Sequence, residues 1–180
     1  SPAPAAHCEA VITRGELIMS AYLALAVSVG LLAIGDTWLF AGPLATLLPG
    51  LVWISFIAWG CHFQSGGGVK GMTTAIVGMS FGALVGMVAV TLAGGAFAGL
   101  GAMAAPVAVG LGAFVICLAS KLPLLAVIPA SVYGFASVAG PILLAGRTPT
   151  EAIGPVVISV VIGALFGIVS EYLANMLAKK

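Results

Sequence analysis

The chain has 180 residues, of which 62% are hydrophobic and only 6% are charged, with a formal net charge of +1. Soluble domains carry about 25% charged residues, and so few polar side chains cannot cover a soluble core. The composition excludes an ordinary soluble enzyme, a disordered protein and a nucleic-acid-binding protein, because the last needs a basic surface. It indicates an all-α polytopic membrane protein.

The chain begins with a polar tail, residues 1–16, which we expect to be a loose segment or a surface helix. Six apolar runs follow, and each is close to the roughly 20 residues that cross the hydrocarbon of a bilayer. They are residues 17–34, 44–61, 72–93, 97–119, 124–145 and 152–173. Because these runs do not alternate with polar residues, they predict six transmembrane helices and exclude the strands of a membrane barrel.

The charged residues predict the orientation of these spans. With six spans, one side of the membrane holds Arg14, Lys70, Lys121, Lys179 and Lys180, and the other side holds Arg147. Basic residues in short loops favour the cytoplasmic side, so we expect both termini to be cytoplasmic. Since the first span is predicted to end at Gly35-Asp36, no acidic or basic residue is expected deep in the membrane.

The two halves of the chain resemble each other at a nearly constant offset. Residues 27–33 match 107–113 and residues 49–60 match 129–140 at an offset of 80, and residues 82–86 match 163–167 at an offset of 81. The alternative is chance, since Gly, Ala, Val and Leu match easily. Three spans per copy require the second copy to be inverted in the membrane, which is the plan of many transporters. We therefore predict two inverted three-helix repeats, residues 17–95 and 96–180.

Small residues and prolines predict where these helices pack and break. Glycines four residues apart line one face of the third span (Gly78, Gly82, Gly86) and of the sixth (Gly163, Gly167). Such faces let helices approach closely, at the repeat axis, at a subunit interface or in ordinary packing within one subunit. Pro49, Pro106 and Pro129 fall inside predicted spans, where each would kink or break its helix. Because Pro49 and Pro129 occupy matching positions, their two breaks would face one another across the axis, and the alternative is a simple packing kink.

Residues 59–71 are the most distinctive stretch, because three consecutive glycines follow a group of polar residues. Glycines favour an irregular backbone, and a re-entrant loop here would expose amides that suit an anionic or hydrogen-bonding solute. The alternative is a tight connecting loop. The residues predicted to line a pore or bind a solute are Trp53, His62, Gln64, Ser65, Lys70, Thr73, Tyr133 and Ser137. Trp38 and Trp59 are expected in the aromatic belt at the membrane interface.

Residues 58–86, which begin Ala-Trp-Gly-Cys-His-Phe-Gln-Ser-Gly-Gly-Gly-Val-Lys-Gly, carry a family resemblance that continues through residues 112–121, 127–129, 137–140 and 163–167. They resemble the YcdZ-like family of small bacterial inner-membrane proteins, which are grouped as a domain of unknown function. The resemblance implies an integral protein of the bacterial inner membrane. A looser similarity of size and plan exists to urea/amide channels and acetate-type transporters, which assemble as rings of small subunits.

The sequence contains no visible catalytic set, metal-ligand cluster or phosphate-binding loop. We therefore expect no enzymatic activity, no cofactor and no metal. We predict a channel or facilitator that passes a small polar or weakly charged metabolite through a pore between the repeats. The alternative is a non-transporting accessory or scaffold subunit of the membrane. The expected partners are membrane lipid, further copies of the same chain in a homo-oligomer and a small-molecule solute, but no nucleic acid.

Overall fold

The structure is a computed structural model that describes residues 4–48 and 51–178, with side chains from residue 21 onward. These residues form six α-helices, in chain order α1 (Pro4–Ala41), α2 (Val52–Gln64), α3 (Gly68–Gly94), α4 (Ala104–Ala119), α5 (Ile128–Ala145) and α6 (Pro149–Ala178). Short 3₁₀ segments, Ala98–Met103 and Pro123–Leu125, precede α4 and α5. The described part of the chain has no strand, as expected for an all-α protein.

Within the described ranges, five segments are long and apolar enough to cross a membrane. They are Ala21–Ala41, Gly68–Gly94, Ala98–Ala119, Ile128–Ala145 and Pro149–Ala178. The prediction of a polytopic helical membrane protein is thereby confirmed. The second predicted span, residues 44–61, takes a different form, because turns occupy residues 42–48 and α2 has only 13 residues. At 1.5 Å per residue α2 is about 20 Å long, too short to cross about 30 Å of hydrocarbon alone.

The first helix is longer than predicted at both ends. It continues through Gly35 and Asp36 to Ala41, so the prediction that the first span ends at these residues is wrong. A buried hydrogen bond from Ser55 to the Asp36 carboxylate allows the acid to remain inside the fold. The backbone of α1 is helical from Pro4, so most of the predicted polar tail is continuous with the first span.

The predicted helix breaks at Pro106 and Pro129 are wrong, because both prolines lie in the first turn of a helix. Pro129 lies in the first turn of α5 and Pro106 is the third residue of α4. Proline is tolerated there because first-turn amides have no partner within the helix. The backbone is instead irregular just before these helices, at residues 126–127 and at Gly101, where φ is +55°. Pro49 lies outside the described residues.

The contacts between helices are equivalent in the two halves of the chain: each contact made by α1, α2 or α3 has a counterpart when these helices are exchanged for α4, α5 and α6, respectively. The most extensive contact is between α3 and α5, and its counterpart joins α2 and α6. The contact of α1 with α6 likewise has its counterpart in that of α3 with α4, and α3 crosses α6. The centre of this arrangement is packed with small aliphatic side chains and Met79.

The glycine faces lie at the two most extensive contacts. Gly78, Gly82 and Gly86 pack on α5, where a Cβ on Gly82 would collide with the Ser131 carbonyl. Gly163 and Gly167 pack on α2, where a Cβ on Gly163 would collide with the Ser55 carbonyl. These faces therefore serve packing within one subunit, one of the readings that the sequence left open. Ser55, which packs on Gly163, and Ser131, which packs on Gly82, therefore occupy corresponding positions in the two halves. The residues of α2 and α5 correspond at an offset of 76 in place of the predicted 80.

A buried polar seam along α2

Buried polar side chains gather between α1, α2 and α6. Ser55, Trp59 and His62 are spaced four and three residues apart, so they share one face of α2. We call the whole group the polar seam, and its members are Ser28, Asp36, Ser55, Trp59, His62, Ser170 and Glu171. All except the partly exposed Glu171 are buried. A row of this kind is unusual in an apolar bundle, since polar groups are expensive to bury without partners.

The first part of the seam is a carboxylate near the middle of the fold. Ser55 Oγ donates a hydrogen bond of 3.0 Å to Asp36 Oδ1. The Ser55 backbone packs on Gly163, which lies halfway along α6, so Asp36 is level with the centre of the longest transmembrane segment. Asp36 is 0% exposed, and its Oδ2 has no hydrogen-bond partner among the described residues. The expectation that no acidic residue lies deep in a span is therefore wrong.

Asp36 also lies beside the start of a short helix. Its partner Ser55 is the fourth residue of α2, and irregular backbone precedes α2 over residues 42–48. The N-terminal end of a helix carries partial positive charge, which favours a nearby carboxylate. Discontinuous helices that begin near the membrane centre are typical of solute sites in transporters.

The middle of the seam is a set of interhelical hydrogen bonds. Trp59 Nε1 donates to Ser170 Oγ at 3.1 Å, and Ser170 Oγ donates to the Gly167 carbonyl at 2.6 Å. Ser28 Oγ donates to the Ser170 carbonyl at 2.7 Å, which ties α1 to α6. Trp59 is 3% exposed, so its predicted place in the interfacial belt is wrong, whereas Trp38 is exposed as expected for a belt residue.

The far end of the seam joins an imidazole to a carboxylate. The His62 ring is fully buried against Gly167, and its Nε2 lies 3.3 Å from Glu171 Oε2. This is an ion-pair distance, yet neither ring nitrogen makes a hydrogen bond of acceptable geometry within the described residues. Glu171 Oε2 also accepts the Gly68 backbone N–H at 2.7 Å. The carboxylate thus closes the turn between α2 and α3.

The three-glycine turn has the irregular backbone that the sequence predicts. Gly66, Gly67 and Gly68 have φ values of +95°, +67° and +57°, a region that other residues rarely adopt. A side chain on Gly67 would collide with the Glu171 carboxylate. The sequence did not reveal Glu171 as the partner of this turn, because the two lie about a hundred residues apart and no local pattern connects them.

The residues predicted to line a pore occupy several different environments. His62 belongs to the seam, while Ser65 and Ser137 are buried and Gln64, Lys70 and Trp53 are exposed. Thr73 Oγ1 donates to the Val69 carbonyl of its own helix at 2.8 Å. Gln64 and Tyr133 line an open groove of about 440 Å³ between α2 and α5, together with Ile57, Gly60, Cys61 and Ala136. Trp53 does not line this groove.

Metal-ligating residues are sparse in the described part of the chain. No group of three or more His, Cys, Asp and Glu side chains there is arranged to hold a metal ion. His62 and Glu171 are the one close His–carboxylate pair recorded within it. The seam therefore offers hydrogen bonding and charge rather than a ready coordination site.

The chain matches a known protein family over most of its length. A family described as "Protein of unknown function (DUF1097)" matches residues 26–175, which include every member of the polar seam. No curated protein and no solved structure matches the chain. The matched region covers most of the 180 residues, and the chain belongs to the DUF1097 family.

Proposed function

We propose that this membrane protein is a channel or facilitator for a small polar or weakly charged metabolite, and that the solute follows the polar seam. The observation that carries the proposal is Asp36, a fully buried carboxylate level with the centre of α6 whose Oδ2 has no partner among the described residues. Ionisable side chains inside membrane segments are expensive, and they usually mark solute or ion pathways.

The position of the seam between the two halves of the chain supports this proposal. The exchangeable packing of the helices favours two inverted repeats, residues 17–95 and 96–180. The seam lies where α1 and α2 of the first repeat meet α6 of the second, and repeat interfaces are where inverted-repeat transporters bind solutes. Because Ser55, Trp59 and His62 are buried, the described conformation is closed. Passage then requires α2 to separate from α6.

The setting of the protein is part of the same proposal. The resemblance to YcdZ-like proteins supports the bacterial inner membrane, and the bias of basic residues supports cytoplasmic termini. The many exposed apolar side chains of α4, among them Phe114 and Leu118, suit contact with lipid or with further copies of the chain. No enzymatic activity, cofactor or nucleic-acid partner is part of the proposal.

Liposome flux tests the route. Purified protein is reconstituted, and the uptake of small amides, short-chain acids and ammonium is measured for the wild type, Asp36→Asn and the matched control Thr37→Ala, whose side chain is exposed. We expect wild-type flux above that of empty liposomes, a loss of at least about tenfold in Asp36→Asn, equivalent to 1.4 kcal/mol, and no loss in the control. Asparagine keeps an acceptor for Ser55, so the fold is preserved. Background flux of the wild type for every solute would contradict the proposal.

A second candidate is a non-transporting accessory or scaffold subunit. The observation that favours it is the close aliphatic packing of the centre, where Ala58, Met79, Ala83, Val160 and Ala164 are all fully buried. In that case the seam serves only to orient α2, and Asp36→Asn changes the thermal stability of a protein that conducts nothing. The flux of the wild type separates the two candidates.

A further inference from the structure

We propose that the three-glycine turn and the first turn of α3 form a binding site for a small carboxylate anion, which the side chain of Glu171 fills as an internal ligand. A free monocarboxylate takes its place when Glu171 moves away. This site lies at the end of the polar seam away from Asp36, and its occupation by an anion does not depend on whether the seam conducts a solute. Its test measures stability and binding rather than flux, so either proposal can fail alone.

The backbone supplies the donors of the site. Gly68 N–H donates to Glu171 Oε2 at 2.7 Å. The next two amides, of Val69 and Lys70, belong to the first turn of α3 and have no carbonyl one turn earlier within the helix. The helix has 27 residues, so the partial positive charge at its N-terminal end is fully developed. Amides arranged in this way bind carboxylates and phosphates in many proteins.

The turn is shaped around a carboxylate. A Cβ on Gly67 would collide with Glu171 Oε1 and lie 3.0 Å from Glu171 Cδ. The positive φ angles of Gly66, Gly67 and Gly68 bend the backbone around that space. Any other residue at position 67 would fill the volume that the anion occupies.

His62 is an independent indication that the site suits an anion. Its imidazole is 0% exposed, and Nε2 lies 3.3 Å from Glu171 Oε2. Neither ring nitrogen has a hydrogen-bond partner within the described residues. The contact with Glu171 therefore leaves the buried imidazole without a well-formed hydrogen bond, which costs free energy, and a ligand with acceptor oxygens in a different position from those of Glu171 would form that bond.

The site is accessible from the surface. The Glu171 side chain is 27% exposed and lines a groove of about 430 Å³ together with Leu25, Phe63 and Asn175. The groove gives the side chain a place to move and gives a small anion a way in. A tethered ligand acts at an effective concentration in the millimolar range or higher. The wild type will therefore bind free carboxylates weakly, and the affinity is revealed when Glu171 is removed.

Chemical rescue tests this site. Glu171→Ala is purified in a neutral detergent without added lipid, and its thermal unfolding midpoint is measured with sodium formate or acetate and with sodium chloride or sulfate at equal ionic strength. We expect a lowered midpoint, of which formate or acetate restores at least half, because a ligand that binds only the folded state stabilises it. The control is Glu151→Ala, which removes an exposed carboxylate that accepts the Thr148 N–H at 3.0 Å. Its midpoint should not respond to carboxylates.

Two outcomes overturn the proposal. The first is a midpoint of Glu171→Ala that responds to formate and acetate no more than to chloride or sulfate. If that variant does not fold, Glu171→Gln replaces it, and the line width of ¹³C-acetate is measured by NMR with the variant and with the wild type. We expect broader lines with Glu171→Gln, since a neutral amide competes poorly for the backbone donors. Equal line widths for the two proteins would be the second contrary result.

Discussion

Gly163→Ala tests the packing that holds the polar seam together. Gly163 is where α6 meets the backbone of α2, and an added Cβ would collide with the Ser55 carbonyl oxygen and lie 2.6 Å from its carbon. The atoms in the way belong to the backbone, so no side-chain rotation relieves the contact. The control is Gly154→Ala on the same helix, where an added Cβ has no neighbour within 4 Å.

The expected loss of stability follows from this geometry. The Ser55 carbonyl carbon would have to retreat from 2.6 Å to an ordinary contact of 3.4 Å or more, which also lengthens the 3.0 Å bond from Ser55 to Asp36. Overpacking of this kind costs about 1–3 kcal/mol, and an interhelical hydrogen bond in a membrane contributes about 0.6 kcal/mol. Alanine gains up to about 1 kcal/mol over glycine in a helix, but Gly154→Ala shares that gain. The difference between the variants should therefore be about 3 kcal/mol.

Thermal unfolding in detergent, followed by tryptophan fluorescence, measures the difference. With about 2–4 °C per kcal/mol for a chain of this size, Gly163→Ala should unfold roughly 6–12 °C below Gly154→Ala. The buried Trp59 should also become more exposed as α2 shifts away from α6, which moves its emission to longer wavelength. Equal midpoints for the two variants would refute the inferred contact between α2 and α6.

Two further predictions concern the other packing face and the middle of the seam. Gly82→Ala should lower the unfolding midpoint by an amount similar to Gly163→Ala, because the added Cβ would collide with the Ser131 carbonyl, whereas Gly94→Ala on the same helix should not. Ser170→Ala should cost about 1–3 kcal/mol in a denaturant titration, since it leaves the buried indole N–H of Trp59 without its acceptor. A wild-type denaturation midpoint for Ser170→Ala would mean that this bond contributes little.

Much of the fold follows from hydropathy, because a bilayer requires long apolar helices whatever the tertiary packing. The spans that became α3 and α6 are predicted to within a few residues at most ends, and the fourth span ends at Ala119 as predicted. The error at α2 has a physical cause. Apolar residues over 44–51 are typical of a helix by composition, but Gly42 and Pro43 lie just before them and favour the turns that occupy residues 42–48.

The site is harder to predict, because its members come together only in three dimensions. His62 and the three-glycine turn stand out locally, and both belong to the region that the structure places at the end of the seam. Asp36 resembles a loop residue in the sequence, since it follows a glycine and ends an apolar run. Its burial depends on Ser55, and the role of Glu171 depends on Gly68, contacts that no spacing within a single helix reveals.

The two halves of the chain have corresponding helix contacts, but the side chains at corresponding positions differ in polarity. At the positions that correspond to Ser28 and Asp36, α4 carries Ala108 and Ile116, both buried, and the glycine contacts place Val138 of α5 where α2 has His62. The two corresponding interfaces thus differ in polarity: the one with α2 buries a carboxylate and an imidazole, whereas the one with α5 has an aliphatic side chain at those positions and keeps only Ser131 in the place of Ser55. Under the proposed function, each chain therefore has one solute pathway rather than two related by the exchange of its halves.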